Sequence, residues 1–438
     1  MREMGQFELL KNSFFRLNNL LIFRSILNDN LYADIQQLIL DLNKYISEDH
    51  NKKYYEICHR LIKIAERERF QGDLLQNYLL KLIALDKNPL SLRAEKFGSG
   101  ISPGLYQAAL HDIKIIKGVY RFTLSDIGVI IGIGEISYIS HYSPTLDDNL
   151  NRSPLHNNFS NFRYAFSKDE LQEILSSLIS YYNSAGCGKL SQYIAFRYDF
   201  EQRGLRGVRN LDPVTFDDLI GYKEQKEQLI ENTELFLNGK KANNVLLYGD
   251  SGTGKSSSIK ALVNKYFYKG LRLIEIDKNM IEKIPELLEL LEERGLYFVI
   301  FMDDLSFEDF ETEYKYLKAV MEGGLESKPD NVLFYATSNR RHIVKENWED
   351  RSEGQGEVHQ SDAVQEKLSL ADRFGLTITY PAPDRNQYLE IVKGLARKNN
   401  LSLPEEELLN GALKWEMWHH GRSGRTARQY INHLAGKK

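Results

Sequence analysis

The sequence predicts an α/β protein. It would contain a five-stranded parallel sheet with helices on both faces, a small helical unit at the C-terminus and a mainly helical region before the sheet. Three observations support this prediction. Short apolar runs alternate with helical patterns from about residue 211, as expected of a parallel sheet with crossover helices. Only helical patterns follow Pro381 and Pro383. In the first 120 residues, apolar side chains recur at three- and four-residue steps, which is typical of amphipathic helices.

The length of 438 residues indicates more than one domain. We expect a helical region over residues 1–120, a mixed connector over 121–210, the sheet domain over 211–380 and a helical unit over 381–438. Within the connector, residues 119–143 combine β-branched and aromatic residues with glycines, which favours short strands. Charged residues make up 27% and hydrophobic ones 42%, a composition that excludes wholesale disorder.

Charge and cysteine content limit the classes of function. The longest apolar run, residues 127–133, is far shorter than the ~20 residues that a membrane helix needs, so we expect no membrane association. The net charge is −4 and neither half of the chain is basic, which argues against a dedicated polynucleotide binder. The two cysteines, Cys58 and Cys187, cannot build a disulfide scaffold or a four-ligand zinc site. A reducing, cytoplasmic location is therefore expected.

The sheet domain has five candidate strands, each an apolar run rich in β-branched or aromatic residues. They cover residues 244–248, 271–276, 297–303, 331–337 and 376–380. Helical patterns fill the intervals at 255–268, 285–294 and 314–322. This alternation is the basis for predicting a mainly parallel sheet.

The motif GDSGTGKS, residues 249–256, follows the first candidate strand and leads directly into a helical pattern. Strand, glycine-rich loop and helix in this order are the context that a phosphate-binding P-loop requires. Its backbone N–H groups would surround phosphates, Lys255 would reach the β- and γ-phosphates, and the Ser256 hydroxyl would bind Mg²⁺. A glycine-rich turn without function is the alternative, which the spacing and context disfavour. The predicted phosphate-binding residues are Gly249, Asp250, Ser251, Gly252, Thr253, Gly254, Lys255, Ser256 and Ser257.

Polar residues follow two later strands. Asp303 and Asp304 end the third strand, where Asp303 would hold Mg²⁺ through water and Asp304 would orient or deprotonate the attacking water. Two solvated loop carboxylates are the alternative. Asn339 ends the fourth strand and is placed to hydrogen-bond the attacking water or the γ-phosphate, unless it is an ordinary turn residue.

Further candidates lie on either side of these strands. Ile220 and Gly221, upstream of the P-loop, are placed to line the pocket for adenine. Arg373 precedes the fifth strand and would act as an arginine finger in a neighbouring subunit, or else as a surface ion-pair partner. Arg425 opens the last helix and would reach back to the nucleotide. Together with Arg422 and Arg428, it could instead form a nucleic-acid strip or a solvated face.

The order of these elements resembles that of the AAA+ superfamily. More narrowly, it resembles a bacterial ATP-binding family known only as a domain of unknown function. The similarity extends over residues 211–436, and the DRFG element at 372–375 is also similar to Holliday-junction branch-migration motors. It implies binding of ATP with Mg²⁺, a helical lid and assembly into a homo-oligomeric ring. It implies no substrate.

Our leading hypothesis is an AAA+ ATPase that couples hydrolysis to remodelling of an unknown macromolecular partner, most simply a protein. A DNA-associated motor or loader is the first alternative, although the charge balance disfavours nucleic acid as the partner. A nucleotide-gated scaffold with little turnover is the second. Residues 277–284 lack the aromatic and glycine pore loop that threading a protein chain would need, so an unfoldase is less favoured.

Overall fold

The chain divides into two units by its internal contacts. A computed structural model covers the whole chain. The first unit comprises Met1–Tyr193 and Arg294–Leu296, and the second comprises Ile194–Glu293 and Tyr297–Lys438. The structure describes residues 2–42, 48–145, 154–199, 201, 203–306, 313–322, 328–339, 373–419 and 421–436.

The regular elements described in the first unit are helical. On α1, Leu10 and Phe14 are buried, as the predicted pattern requires, whereas Leu9 is exposed. Ser102 caps α6 by accepting a hydrogen bond from the backbone N–H of Leu105, and Pro103 occupies its first turn. The helices are α1 (Arg2–Arg16), α2 (Asn30–Asp41), α3 (Glu48–Glu68), α4 (Leu74–Leu85), α5 (Pro89–Phe97), α6 (Pro103–Tyr120), α7 (Leu124–Ile130), α8 (Ser137–Ser140), α9 (Pro154–Ser167), α10 (Leu171–Ala185) and α11 (Lys189–Gln192).

The prediction of short strands over residues 119–143 is wrong. This stretch forms the end of α6, then α7 and α8. Thr123 and Asp126 form a reciprocal capping box: each side chain accepts a hydrogen bond from the other residue's backbone N–H, at 3.1 and 2.7 Å. Leu124 and Ile127 are buried on the helix that follows. The local cap and this burial outweigh the strand propensity of the β-branched residues.

The second unit contains one mainly parallel sheet, in the order β2-β1-β4-β5-β6-β3-β7. Every adjacent pair is parallel except β1 and β2. The residues of β6 are buried throughout, so both faces of the sheet are covered at its centre. The strands are β1 (Ala195–Asp199), β2 (Gly204–Gly207), β3 (Val245–Gly249), β4 (Leu271–Glu275), β5 (Tyr297–Met302), β6 (Val332–Ser338) and β7 (Leu376–Tyr380).

Within the described ranges the sheet has seven strands, so the prediction of five is corrected. The five predicted strands are all present as β3 to β7. The two additional strands, β1 and β2, fall inside the expected connector over 121–210, and β1 pairs in parallel with β4. Both are short, and charged residues such as Arg197 and Asp199 interrupt their apolar pattern. Their strand character depends on pairing with β4, which lies about 75 residues further along the chain.

Helices connect the strands and follow the sheet. Connecting helices are α12 (Lys223–Leu237), α13 (Lys255–Tyr266), α14 (Ile284–Glu292) and α15 (Glu313–Glu322). After β7 come α16 (Arg385–Lys398), α17 (Glu405–Trp418) and α18 (Gly424–Ala435), which share a small buried core that includes Tyr388, Val392 and Ile431. None of the helices in the described ranges is both long and apolar enough to cross a bilayer.

The strand order places three strand ends side by side. β5, β6 and β3 are neighbours, and all three run in the same direction. Their carboxyl ends therefore meet at one edge of the sheet, where ligands bind in open parallel sheets.

Candidate nucleotide-binding site

The loop after β3 has backbone angles that only glycine adopts readily. The φ angles of Gly249, Gly252 and Gly254 are 140°, 77° and 99°. A Cβ atom on Gly249 would lie 2.0 Å from the carbonyl oxygen of Tyr380, so no other residue fits there. Because α13 begins at Lys255, the loop leads into a helix N-terminus, whose unpaired N–H groups favour anions.

Lys255 is only 6% exposed, and its ammonium group is held by three oxygen atoms. Its Nζ donates hydrogen bonds to the carbonyl oxygens of Gly249 at 2.7 Å and Asp250 at 2.8 Å, and to Asn339 Oδ1 at 2.9 Å. Burial lowers the pKa of Lys255, while the carboxylates of Asp250, Asp304 and Asp303 oppose that shift. The cation is thus fixed between the P-loop and the end of β6.

Asp303 accepts hydrogen bonds from two hydroxyl groups. Its Oδ1 accepts one from Ser256 Oγ on α13 and one from Thr337 Oγ1 on β6, both at 2.6 Å. Asp303 is exposed at the carboxyl end of β5. The predicted pair of Mg²⁺ ligands, Ser256 and Asp303, is therefore in direct contact.

Asp304 occupies an unusual backbone conformation, with a φ of 52°. This left-handed region is uncommon for residues with a Cβ atom. Its backbone N–H donates to Thr337 Oγ1 at 2.8 Å, and its Oδ1 accepts a hydrogen bond from Asn339 Nδ2 at 2.7 Å. Asn339 therefore bridges Lys255 and Asp304.

The chemistry of these groups fits Mg²⁺. Ser256 and Asp303 offer oxygen atoms, the ligands that this hard cation prefers. Within the described ranges, no three His, Cys, Asp or Glu side chains cluster in a way that could hold a metal ion by themselves. Mg²⁺ needs no such cluster, because it keeps several waters and is commonly held by one or two carboxylates together with phosphates.

The other end of the site is apolar. Leu219 and Ile220 lie there with Ile391 and Leu395 of α16. Ile220 is closely packed against α16, since a Cβ atom on Gly394 would lie 2.3 Å from Ile220 Cδ1. This apolar end suits a flat base, as the polar end suits phosphates.

Tyr222 and Asp218 tie the loop before α12 to its surroundings. The Tyr222 hydroxyl donates to the carbonyl oxygen of Pro381 at 2.7 Å. Asp218 forms an ion pair with Lys398 of α16 at 2.8 Å. Partial burial acts to raise the pKa of Asp218. One hydrogen bond from Lys398 and two from Thr215 outweigh this effect and lower the pKa to about 2.

Arg425 joins α18 to the P-loop. Its backbone N–H donates to the Gly252 carbonyl oxygen at 3.2 Å. Arg428, one turn further along α18, lines the same cleft. Arg422 instead pairs with Glu416 at 2.7 Å.

These groups enclose a cleft of about 660 Å³, within the range of ligand-binding pockets. Its polar wall includes P-loop residues, both aspartates and Asn339, and its other walls come from the loop before α12 and from α16 and α18.

A family model described as "Protein of unknown function (DUF815)" matches residues 191–438, more than half of the chain. The chain belongs to this family. The predicted membership is confirmed, and the DUF815 match begins just before β1, so it takes in all seven strands.

Two known proteins are similar to parts of this DUF815 chain. The replication factor C large subunit of Methanococcus maripaludis strain C7 is 33% identical over 79 residues, 18% of this chain and 16% of that protein. An AAA-ATPase of Arabidopsis thaliana is 32% identical over 107 residues, 22% of this chain and 20% of that protein. The chain thus spans a fifth or less of the length of these curated relatives.

Among solved structures, the RuvB Holliday junction branch migration motor of Thermotoga maritima is similar. The sequence identity is 16% and the TM-score is 0.35, with 51% of this chain and 64% of that chain covered.

The predicted site residues fall into three groups. The first group lines the cleft: Ile220, Ser251, Gly252, Thr253, Gly254, Lys255, Ser256, Ser257, Asp303, Asp304, Asn339 and Arg425. The second group, Gly249, Asp250 and Gly221, does not line it. Gly249 and Asp250 nevertheless support the loop, because their carbonyl oxygens hold Lys255 and Asp250 Oδ2 accepts a hydrogen bond from the backbone N–H of Ala382 at 2.9 Å. Arg373 is exposed just before β7 and lies outside the residues that line the cleft.

Sequence reasoning missed several residues of the cleft. Thr337 carried one signal, as a polar residue inside the apolar run of β6. Lys226, Lys260, Gln429 and Asn432 also line the cleft, but they occupy helices whose polar faces look like any solvated face.

Proposed function

We propose that the second unit binds ATP with Mg²⁺ in this cleft and hydrolyses it, and that hydrolysis drives remodelling of a macromolecular partner. One observation supports this most strongly. A continuous set of hydrogen bonds runs from Ser256 through Asp303, Thr337, Asp304 and Asn339 to Lys255. These bonds link Lys255 and Ser256 to Asp303 and Asp304 at one edge of the sheet, which supports a shared role for these residues.

Each group would have a distinct role. The N–H groups of the P-loop and Lys255 would bind the phosphates, while Ser256 and Asp303 would hold Mg²⁺. When bound, Mg²⁺ neutralises charge that develops on the phosphate oxygens. Asp304 would accept a proton from the attacking water, which Asn339 would orient.

The apolar end and α18 would complete nucleotide binding. Leu219 and Ile220 would pack against adenine, because they form an apolar wall with α16. Arg425 would bind phosphate from α18, which already contacts Gly252. The C-terminal helices would thereby sense the nucleotide as a lid.

We further propose that Arg373 completes the site of a neighbouring copy. It is exposed and lies outside the residues that line the cleft of its own subunit. An arginine supplied from a second subunit requires an oligomer, and a ring would supply one to every site.

The structure offers little support for the alternative that Arg422, Arg425 and Arg428 form a strip that binds nucleic acid. Arg422 is paired with Glu416, and Arg425 and Arg428 line the nucleotide cleft. We therefore keep a protein as the preferred partner.

The binding proposal is tested with Lys255→Ala. Removing the ammonium group should abolish ATP binding in calorimetric titrations and phosphate release in steady-state assays. Lys265→Ala is the matched control, since Lys265 is an exposed lysine near the end of the same helix, and it should behave like the wild type. Because Lys255 is largely buried, the melting temperature of each variant is measured alongside. Normal ATP binding by a folded Lys255→Ala variant would contradict the P-loop assignment.

A further inference from the structure

We infer that Thr337 is a positioning residue for ATP hydrolysis, whose hydroxyl group fixes both aspartates at the end of β5. The inference rests on the proposed function and extends it. Thr337 lies on β6, which is bordered by β5 on one side and by β3 on the other. It is 2% exposed, so its partners are protein atoms.

Three hydrogen bonds tie Thr337 to three successive residues. Its Oγ1 donates to Asp303 Oδ1 at 2.6 Å and accepts from the Asp304 backbone N–H at 2.8 Å. Its carbonyl oxygen accepts from the Leu305 backbone N–H at 2.7 Å. One residue of the neighbouring strand thus contacts three successive residues of the turn that carries both carboxylates.

The two contacts of Oγ1 are complementary. A hydroxyl group has one proton to donate and lone pairs to accept. Because the proton points to the Asp303 carboxylate, a lone pair remains for the Asp304 N–H. Asp304 needs such a restraint, since its left-handed φ of 52° is unfavourable for a residue with a Cβ atom.

We expect loss of the Thr337 hydroxyl to reduce turnover much more than binding of ATP. The predicted Mg²⁺ ligand Asp303 and the predicted base Asp304 would both lose orientation without the hydroxyl. The Thr337 hydroxyl bonds to Asp303 and Asp304 rather than to the P-loop, so binding of ATP without Mg²⁺ should change little. Outer partners of metal ligands typically contribute about 10–100-fold to metal affinity or activity.

The experiment compares three variants with the wild type. Thr337→Val removes the hydroxyl while keeping the branched shape, and Thr337→Ser keeps the hydroxyl. Thr233→Val is the matched control, because Thr233 is fully buried and its Oγ1 bonds at 2.8 Å to the Leu229 carbonyl oxygen and to the hydroxyl of Tyr335, itself on β6. The measurements are kcat, the Mg²⁺ concentration for half-maximal activity, ATP affinity without Mg²⁺, and Tm.

We expect kcat to fall about 10–100-fold in Thr337→Val, together with a higher Mg²⁺ requirement. Thr337→Ser should retain most of the activity, and Thr233→Val should lower only Tm. A Thr337→Val enzyme whose Tm falls as much as that of Thr233→Val, but whose kcat equals that of the wild type, would overturn the inference. So would equal loss in Thr337→Val and Thr337→Ser, because shape rather than the hydroxyl would then matter.

Failure of the proposed function has a different signature. If the wild type releases no phosphate, or if Lys255→Ala releases phosphate as fast as the wild type, both the function and this inference are overturned. If the wild type is active and depends on Lys255, while Thr337→Val is fully active, only the positioning role is overturned.

Discussion

A buried carboxylate in the first unit and an exposed carboxylate in the second are bonded in different ways. In the first unit, Asp112 is fully buried and accepts hydrogen bonds from the backbone N–H groups of Leu21, Ile22 and Phe23, at 2.7 to 3.1 Å. In the second unit, Asp303 accepts hydrogen bonds from two side-chain hydroxyls at the wall of a cleft.

The difference distinguishes a polar group that stabilises the fold from one to which we propose a function. Backbone N–H groups between α1 and α2 cannot leave Asp112 without unfolding that connection, so its contacts contribute to stability. The Ser256 hydroxyl lines the cleft and can rotate toward another partner, so this contact of Asp303 can be exchanged for a ligand. The hydrogen-bond partners of a polar side chain, and its position beside a cleft, therefore indicate a functional site better than its burial alone does.

The largest expected effect follows from the proposal that another copy of the chain supplies Arg373 to the site of the second unit. Arg373→Ala should lower turnover by about 10³-fold or more, the scale on which arginine fingers act, with a much smaller change in ATP affinity. Specific activity should rise with protein concentration as subunits assemble. Mixing inactive Arg373→Ala with inactive Asp304→Asn should restore some activity, because some interfaces would pair an intact arginine with an intact acid.

Arg385→Ala is the control for this prediction, since Arg385 is exposed in the same unit and does not line the cleft. It should retain wild-type turnover. A monomeric enzyme whose activity is independent of concentration and of Arg373 would contradict the shared site.

The next effect tests the structural side of the comparison. Asp112→Ala leaves three backbone N–H groups without their carboxylate and should lower the free energy of unfolding of the first unit by roughly 3 kcal/mol. Glu56→Ala, at an exposed position of the same unit, should change it by less than about 0.5 kcal/mol.

The tryptophans allow the two units to be followed separately. Trp348, Trp415 and Trp418 all fall in the sequence of the second unit. Urea unfolding followed by far-UV circular dichroism should shift in Asp112→Ala, whereas the tryptophan fluorescence transition should stay closer to that of the wild type. An unshifted circular dichroism transition would show that Asp112 is not structural.

The smallest effect is a pH dependence in the first unit. Burial raises the pKa of Asp73 to about 6, although backbone hydrogen bonds from Gln76 and Leu124 oppose the shift. The folded state therefore holds this proton more tightly than the unfolded state does. The resulting stabilisation is complete below about pH 4 and is lost as the pH rises through about 6.

Asp73→Asn should remove this part of the pH dependence. Urea unfolding at pH 4, 5, 6 and 7 gives the difference between variant and wild type, in which the contributions of other titrating groups cancel. A difference that stays constant across this range would mean that Asp73 titrates normally.

Local signals in the sequence predicted much of the second unit. The five strands β3 to β7 are short apolar runs, and the P-loop combines glycine spacing with the right flanking elements. The carboxyl ends of β5 and β6 could be expected beside the P-loop because parallel strands place them there.

What the sequence did not predict depends on contacts between distant residues. β1 is a strand because it pairs with β4. The burial of Lys255 depends on Asn339 and on two carbonyl oxygens that surround its ammonium group, and the P-loop pattern alone does not reveal these contacts. Thr337 stands two residues before Asn339, and nothing local indicates that its hydroxyl reaches the two aspartates that follow another strand.

The central claim is that Asp304 acts as the general base for hydrolysis, whereas binding of ATP does not require its carboxylate. The most direct measurement compares wild type and Asp304→Asn at saturating Mg·ATP, recording bound nucleotide and released phosphate in the same samples. The variant keeps an oxygen that can accept the Asn339 hydrogen bond, so its nucleotide occupancy should equal that of the wild type. Phosphate release should fall by about 10²–10⁴-fold, the usual contribution of a general base. Wild-type phosphate release by Asp304→Asn would contradict the claim and place the base elsewhere.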